Sequence, residues 1–231
     1  MGQLEQWLQE RFAELCNVIG QRVPVSGLRV NPVVTPKEAK YFLLGMEAGL
    51  FQTDELGCVR SPLLPSSSGD TGARACQMFW YDPPPPRLYR ECVCQLSVAS
   101  LLIIERGWLA GHVLVNPVAK SGDGTSYGID ILVQSPEGRI LVCVEIKRTV
   151  AELQKLITDL RTCCKRGVHA RDDCGFPQNH PKYEFCARYE PVYFWAVSPE
   201  ANICLEMKYG PGSITLEQLD SLPPRSVIEL L

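Results

Sequence analysis

Apolar residues recur at helical spacing over 1–19, where Leu4, Trp7, Leu8, Phe12, Leu15, Val18 and Ile19 define one helix face that Gly20 ends. "VTPKEAKYFLLGMEAGLF" predicts a second helix, with Thr35 as N-cap and Pro36 at its first position. A polar loop follows at 65–73, and "CQMFWY" reads as a short strand. The tract "DPPPP" at 82–86 is stiff and extended, and predicts a boundary between a mostly helical region, 1–86, and a second domain, 87–231.

From Arg87 the pattern runs helix, strand, strand, strand, helix, strand. "RLYRECVCQLSVASLLIIERG" predicts a long helix stopped by Gly107, and "WLAGHVLVNPV" opens a strand that leads into the loop "KSGDGTSYG". Two further strands come from "YGIDILVQSPEGRILVCVEIKR", residues 127–148. An amphipathic helix with Thr149 as N-cap, a polar segment over 165–190 and the apolar strand "PVYFWAVSP" complete the series. The tail "SITLEQLDSL" reads as a short helix. Neither an internal repeat nor a coiled-coil heptad is present, and the fold class predicted is α/β.

Within 127–148, "SPEG" is a turn signal. If Gln134 and Arg139 close that turn, Asp130 stands opposite Cys143. Because strand side chains alternate faces, Ile129, Ile131, Val133, Ile140, Val142, Val144 and Ile146 then share one apolar face. Asp130, Cys143, Glu145 and Lys147 share the other, with Asp130 and Glu145 as diagonal neighbours about 7–8 Å apart. A loop of three or five residues would break this parity. Two carboxylates on one side of a half-buried sheet repel unless a cation lies between them. Hard divalent ions such as Mg²⁺ prefer such oxygen ligands, and Lys147 could hold a water or steady charge on a phosphate.

Composition narrows the classes. With 231 residues, 45% hydrophobic and 21% charged, the chain has the make-up of an ordinary globular protein. It has no apolar run near 18 residues and no charged-then-apolar leader pattern, so a cytoplasmic protein with no membrane partner is expected. Eleven cysteines are an odd number, and Cys92, Cys94, Cys143 and Cys204 fall inside core elements. Reduced thiols are the expectation rather than a disulfide framework. A net charge of −3 argues against binding nucleic acid by bulk positive charge; a homo-oligomer or a protein partner could supply basic surface.

The order helix, strand, strand with Asp, turn, strand with Glu-x-Lys, helix, strand resembles the PD-(D/E)XK nuclease superfamily over residues 87–200. The motif reads "GID…VEIK", with Ile129 in place of the family's proline. The resemblance implies a restriction-endonuclease-like mixed sheet flanked by helices, akin to archaeal Holliday-junction resolvases. It further implies Mg²⁺ or Mn²⁺ held by Asp130, Glu145 and the Ile146 carbonyl, with Lys147 acting on the water or the phosphate. Many members add a residue from the preceding helix, for which Gln95 and Glu91 are the candidates; Glu105 lies too near the helix end. The implied activity is an endonuclease acting on DNA, in repair or defence. The alternative is a catalytically inactive module of that fold for nucleic-acid binding or protein assembly.

Other constellations have plainer readings. Cys163, Cys164, His169, Cys174, His180 and Cys186 could supply zinc ligands, but no tight C-x₂-C with H-x₃-H spacing appears. An irregular insertion with ordinary thiols is the expectation there. Lys165, Arg166, His169, Arg171 and Lys182 could meet phosphates, although Asp172, Asp173 and Glu184 dilute their charge. No histidine is placed to activate Cys143 as a nucleophile. There is no GxxxxGK[ST] loop, and both aromatic strands read as core.

Overall fold

A computed structural model describes residues 2–61, 74–80, 86–117, 120 and 126–228. The loop predicted over 65–73, most of the proline tract at 82–86 and the middle of the loop at 120–128 lie outside these residues. The chain forms two compact units, Met1–Gly111 and His112–Leu231.

The first unit contains α1 (Gln3–Val18), α2 (Pro36–Glu47), the short strands β1 (Gln52–Thr53), β2 (Cys58–Arg60), β3 (Arg74–Gln77), β4 (Phe79–Trp80) and β5 (Arg87–Leu88), and α3 (Arg90–Ile104). Thr35 caps α2 as its sequence predicts: its hydroxyl accepts from the Glu38 N–H, and Glu38 accepts from the Thr35 N–H. "CQMFWY" splits at Met78 between two pairings, β2–β3 and β4–β5. The α3 helix starts at Arg90, since Arg87 and Leu88 are taken by β5.

Although the proline tract separates α3 from α2 in sequence, α3 groups with the first unit. Gly45 of α2 comes so close to α3 that a Cβ there would run into the Ser100 hydroxyl. Arg90 donates to both carboxylate oxygens of Glu38, at 2.7 and 2.5 Å, and to the Pro32 carbonyl, at 2.9 Å. Cys76 and Cys92 form a disulfide, against the expectation of reduced thiols throughout; the other nine cysteines are buried. Contact across the β3–α3 approach, not sequence spacing, selects that pair.

The second unit is a six-stranded mixed sheet, ordered β11-β10-β9-β8-β7-β6. Its elements are β6 (Val113–Val115), β7 (Ile131–Gln134), β8 (Ile140–Ile146), α4 (Val150–Arg166), α5 (His180–Tyr189), β9 (Tyr193–Val197), β10 (Asn202–Gly210), β11 (Ser213–Leu219) and α6 (Arg225–Ile228). Strands β6, β7 and β8 are antiparallel neighbours, and β9 returns parallel to β8 through α4. Thr149 caps α4 by accepting from the Glu152 N–H. Leu153, Leu156, Ile157 and Leu160 of α4 and Tyr183, Phe185 and Cys186 of α5 pack with Leu132, Cys143, Phe194 and Ala196 of the sheet. No helix among the described residues is long and apolar enough to cross a membrane.

Two elements differ from what their sequence predicts. The tail "SITLEQL" is a strand, not a helix. Pro211 and Gly212 (φ 70°) turn the chain between the paired residues Gly210 and Ser213, which zips it antiparallel onto β10. Lys208 bridges Glu206 and Glu217, which face each other across the pair. The polar segment 165–190 contains α5, signalled by Pro181 in its first turn and by the buried Tyr183 and Cys186, three residues apart.

Candidate functional site

Pairing of β7 with β8 decides which residues meet. The turn closes between Ser135 and Arg139, whose N–H and carbonyl bond at 2.9 Å, with Gly138 at φ 85°. This three-residue loop is of the kind that breaks the predicted parity. A bulge restores it: Gln134 pairs with Ile140, while Val133 pairs with Val142, so Leu141 is the extra residue.

Beyond the bulge, Leu132 stands opposite Cys143 and Ile131 opposite Val144. The register is thus offset by two residues from Asp130 opposite Cys143, and continuing it sets Asp130 toward Glu145. The bulge also moves Ile140 off the predicted apolar face, into the cluster beneath α4 and α5. Ile129 joins that cluster too, because Gly128 (φ 60°) turns the chain just before β7 begins. Both faces of β8 are buried, so the sheet here is not half-solvated.

Asp130 sits where β7 starts. Its carbonyl accepts from the Asn116 N–H, and its Oδ2 accepts from the Ile146 N–H at 2.6 Å. The side chain thereby satisfies the next ladder donor of β8, between Glu145 and Lys147.

Glu145 is wholly buried. Its Oε2 accepts from Nζ of Lys147 at 3.1 Å, and its Oε1 lies 2.8 Å from Nζ of Lys182. This second contact is an ion pair, and the Lys182 ammonium also donates to the Gly128 carbonyl. Tyr127 packs edge-on against Phe185, so α5 also holds the segment leading into Asp130.

Lys182 is the residue that sequence reasoning did not assign to this site. It lies three residues after Asn179 in a stretch that reads as polar, and only the fold of α5 turns it inward. Gln95 and Glu91 are both on α3 in the first unit, Gln95 buried and Glu91 accepting from the Tyr89 hydroxyl at 2.9 Å. The second unit therefore brings together Asp130, Glu145, Lys147 and Lys182.

Two carboxylates beside a strand-end carbonyl form a hard-oxygen donor set that suits Mg²⁺ or Mn²⁺. Two ammonium groups already counter Glu145, so a dication would compete with them for its oxygens. Cys143, nearby, is no nucleophile: burial above all, then Cys186 and Glu145, push its thiol well above the ordinary 9.0.

No family model matches this chain, nor does any curated protein or solved structure.

Proposed function

We propose that the second unit carries a Mg²⁺- or Mn²⁺-dependent phosphodiester hydrolase centre acting on DNA, on a restriction-endonuclease-like core. The observation that carries this reading is the Asp130 carboxylate bound at the Ile146 N–H, between Glu145 and Lys147. The element order β6-β7-β8-α4-β9, with three antiparallel strands and a parallel return, is consistent with that core. Asp130, Glu145 and the Ile146 carbonyl would hold the cation, which would activate water and neutralise phosphate charge. Lys147 is the more exposed lysine and would face the scissile phosphate or the attacking water. Lys182 holds Glu145 in place and neutralises it when no cation is bound.

The test is cleavage of plasmid, linear and single-stranded DNA, and of RNA, with Mg²⁺, Mn²⁺ or EDTA. Cutting that requires the metal and is lost in Asp130→Ala and Lys147→Ala is expected. Cutting that survives both substitutions would overturn the assignment.

A second reading is favoured by one observation, that each Glu145 oxygen has a lysine neighbour. Such a site is charge-balanced without a metal, as in an inactive module of this fold that binds nucleic acid or assembles with protein. Absence of both cutting and calorimetric Mn²⁺ binding would select it.

A further inference from the structure

Between the end of α4 and the start of α5, a chain segment of twelve residues brings Cys163, His169 and Cys174 together. One potential ligand atom from each lies within 4.8 Å of the others. We propose that these three residues bind a zinc ion, with water in the fourth position. This inference is independent of the hydrolase reading.

The sulfur spacing is the first support. Sγ of Cys163 and Sγ of Cys174 are 3.5 Å apart, far beyond a bonded pair. Zinc–sulfur bonds of 2.3 Å at a tetrahedral angle would place two sulfurs about 3.8 Å apart, so a small relaxation admits the ion.

The histidine is the second. A carbonyl oxygen can only accept, so the 2.6 Å contact of His169 Nδ1 with the Gly167 carbonyl assigns the ring proton to Nδ1. Nε2 is then a bare lone pair; it is buried and has no hydrogen-bond partner among the described residues. A backbone carbonyl on the far nitrogen is the usual outer-shell arrangement of a zinc-bound imidazole. The ring is held by stacking on Tyr183 at 5.1 Å and by the edge of His180 at 4.8 Å.

The third support is at Cys174, whose sulfur accepts from the Phe176 N–H at 3.4 Å. A backbone donor two residues on stabilises a thiolate more than a thiol. Two sulfurs and an imidazole are softer than the carboxylates at Asp130 and Glu145, and select Zn²⁺ over Mg²⁺. The ion would clip the end of α4 to the segment that leads into α5, the helix that delivers Lys182 to Glu145.

Elemental analysis of the full chain, purified under reducing conditions and dialysed, is the test. One zinc per chain is expected, lost in Cys163→Ser, Cys174→Ser and His169→Ala, and kept in Asp130→Ala and in the thiol control Cys16→Ala. Cobalt substitution of the wild type should give a sulfur-to-metal charge-transfer band, which carboxylate ligands at Asp130 and Glu145 would not produce. Titration in buffers of different ionisation enthalpy should show release of about two protons as the thiols ionise. Zinc absent from wild type even after incubation with Zn²⁺, or zinc retained by both cysteine variants, would overturn the proposal. So would a Cys163–Cys174 disulfide found by peptide mapping of the reduced-and-dialysed chain. The wild-type readouts hold whether or not the variants fold.

Discussion

Nζ of Lys182 lies 2.8 Å from Oε1 of Glu145, tying the first turn of α5 to a central strand of the sheet. The carboxylate is wholly buried and the lysine nearly so. Removing one partner of such a pair leaves a buried charge and costs about 3–5 kcal/mol. Lys182→Met should therefore lose stability of that order in urea unfolding, and Lys182→Met with Glu145→Gln should lose markedly less. Equal losses in the single and double variants would show that the pair is not coupled.

Freeing Glu145 of one ammonium also removes a competitor for a cation. If the centre binds a dication, Mn²⁺ should bind Lys182→Met more tightly than wild type by calorimetry, even as metal-free stability falls. Weaker binding in the variant would place Lys182 among the groups that support the metal rather than oppose it.

Oδ2 of Asp130 accepts from the Ile146 N–H and so serves the fold. Asp130→Asn keeps an acceptor there, whereas Asp130→Ala orphans a buried donor at about 1–3 kcal/mol. Thermal unfolding should rank wild type and Asn close together and Ala below both. Cleavage should be lost in both variants, which separates the carboxylate's charge from its structural bond.

Gly128 has φ 60°, and a Cβ there would come 3.2 Å from the Lys182 ammonium. An L-residue in the left-handed region costs about 1–2 kcal/mol. Gly128→Ala should lose more than that in denaturant titration, because the Cβ also crowds Lys182, whereas Gly138→Ala, where a Cβ meets nothing, should lose only the backbone part.

Alkaline pH should weaken the second unit. Burial raises the phenols of Tyr209 and Tyr193 above the ordinary 10.0, and Tyr209 also donates to the Pro191 carbonyl at 2.8 Å. Their contribution is fully present below pH 10 and is lost as pH rises, since the unfolded chain gives up protons that the native state retains. Unfolding free energy should fall above about pH 10, and near-ultraviolet titration should show these tyrosines ionising only as the chain unfolds.

The elements that sequence alone determined are those whose signals are local. Thr35 and Thr149 act as caps because a hydroxyl before a helix has backbone N–H groups within reach. Leu153, Leu156 and Leu160 announce the buried face of α4 by their spacing, and "SPEG" announces a turn. That Asp130, Glu145 and Lys147 share a face was also legible, through strand parity, although the register was not.

Tertiary structure decided the rest. The four-residue turn that strand parity requires does not form, and Asp130 still reaches Glu145 because the bulge at Leu141 offsets the three-residue loop. No sequence pattern fixes where a strand absorbs an extra residue; packing of Ile140 beneath α4 and α5 does. "SITLEQL" has good helix formers, yet β10 offers it a ladder of hydrogen bonds and a buried place for Ile214. Lys182 reads as a surface charge until α5 turns it toward a carboxylate 37 positions away in sequence. Cys163, His169 and Cys174 match no ligand spacing, because their meeting depends on how the loop folds back between two helices. Local chemistry specifies caps, turns and amphipathic faces, whereas non-local burial chooses which charges and ligands meet.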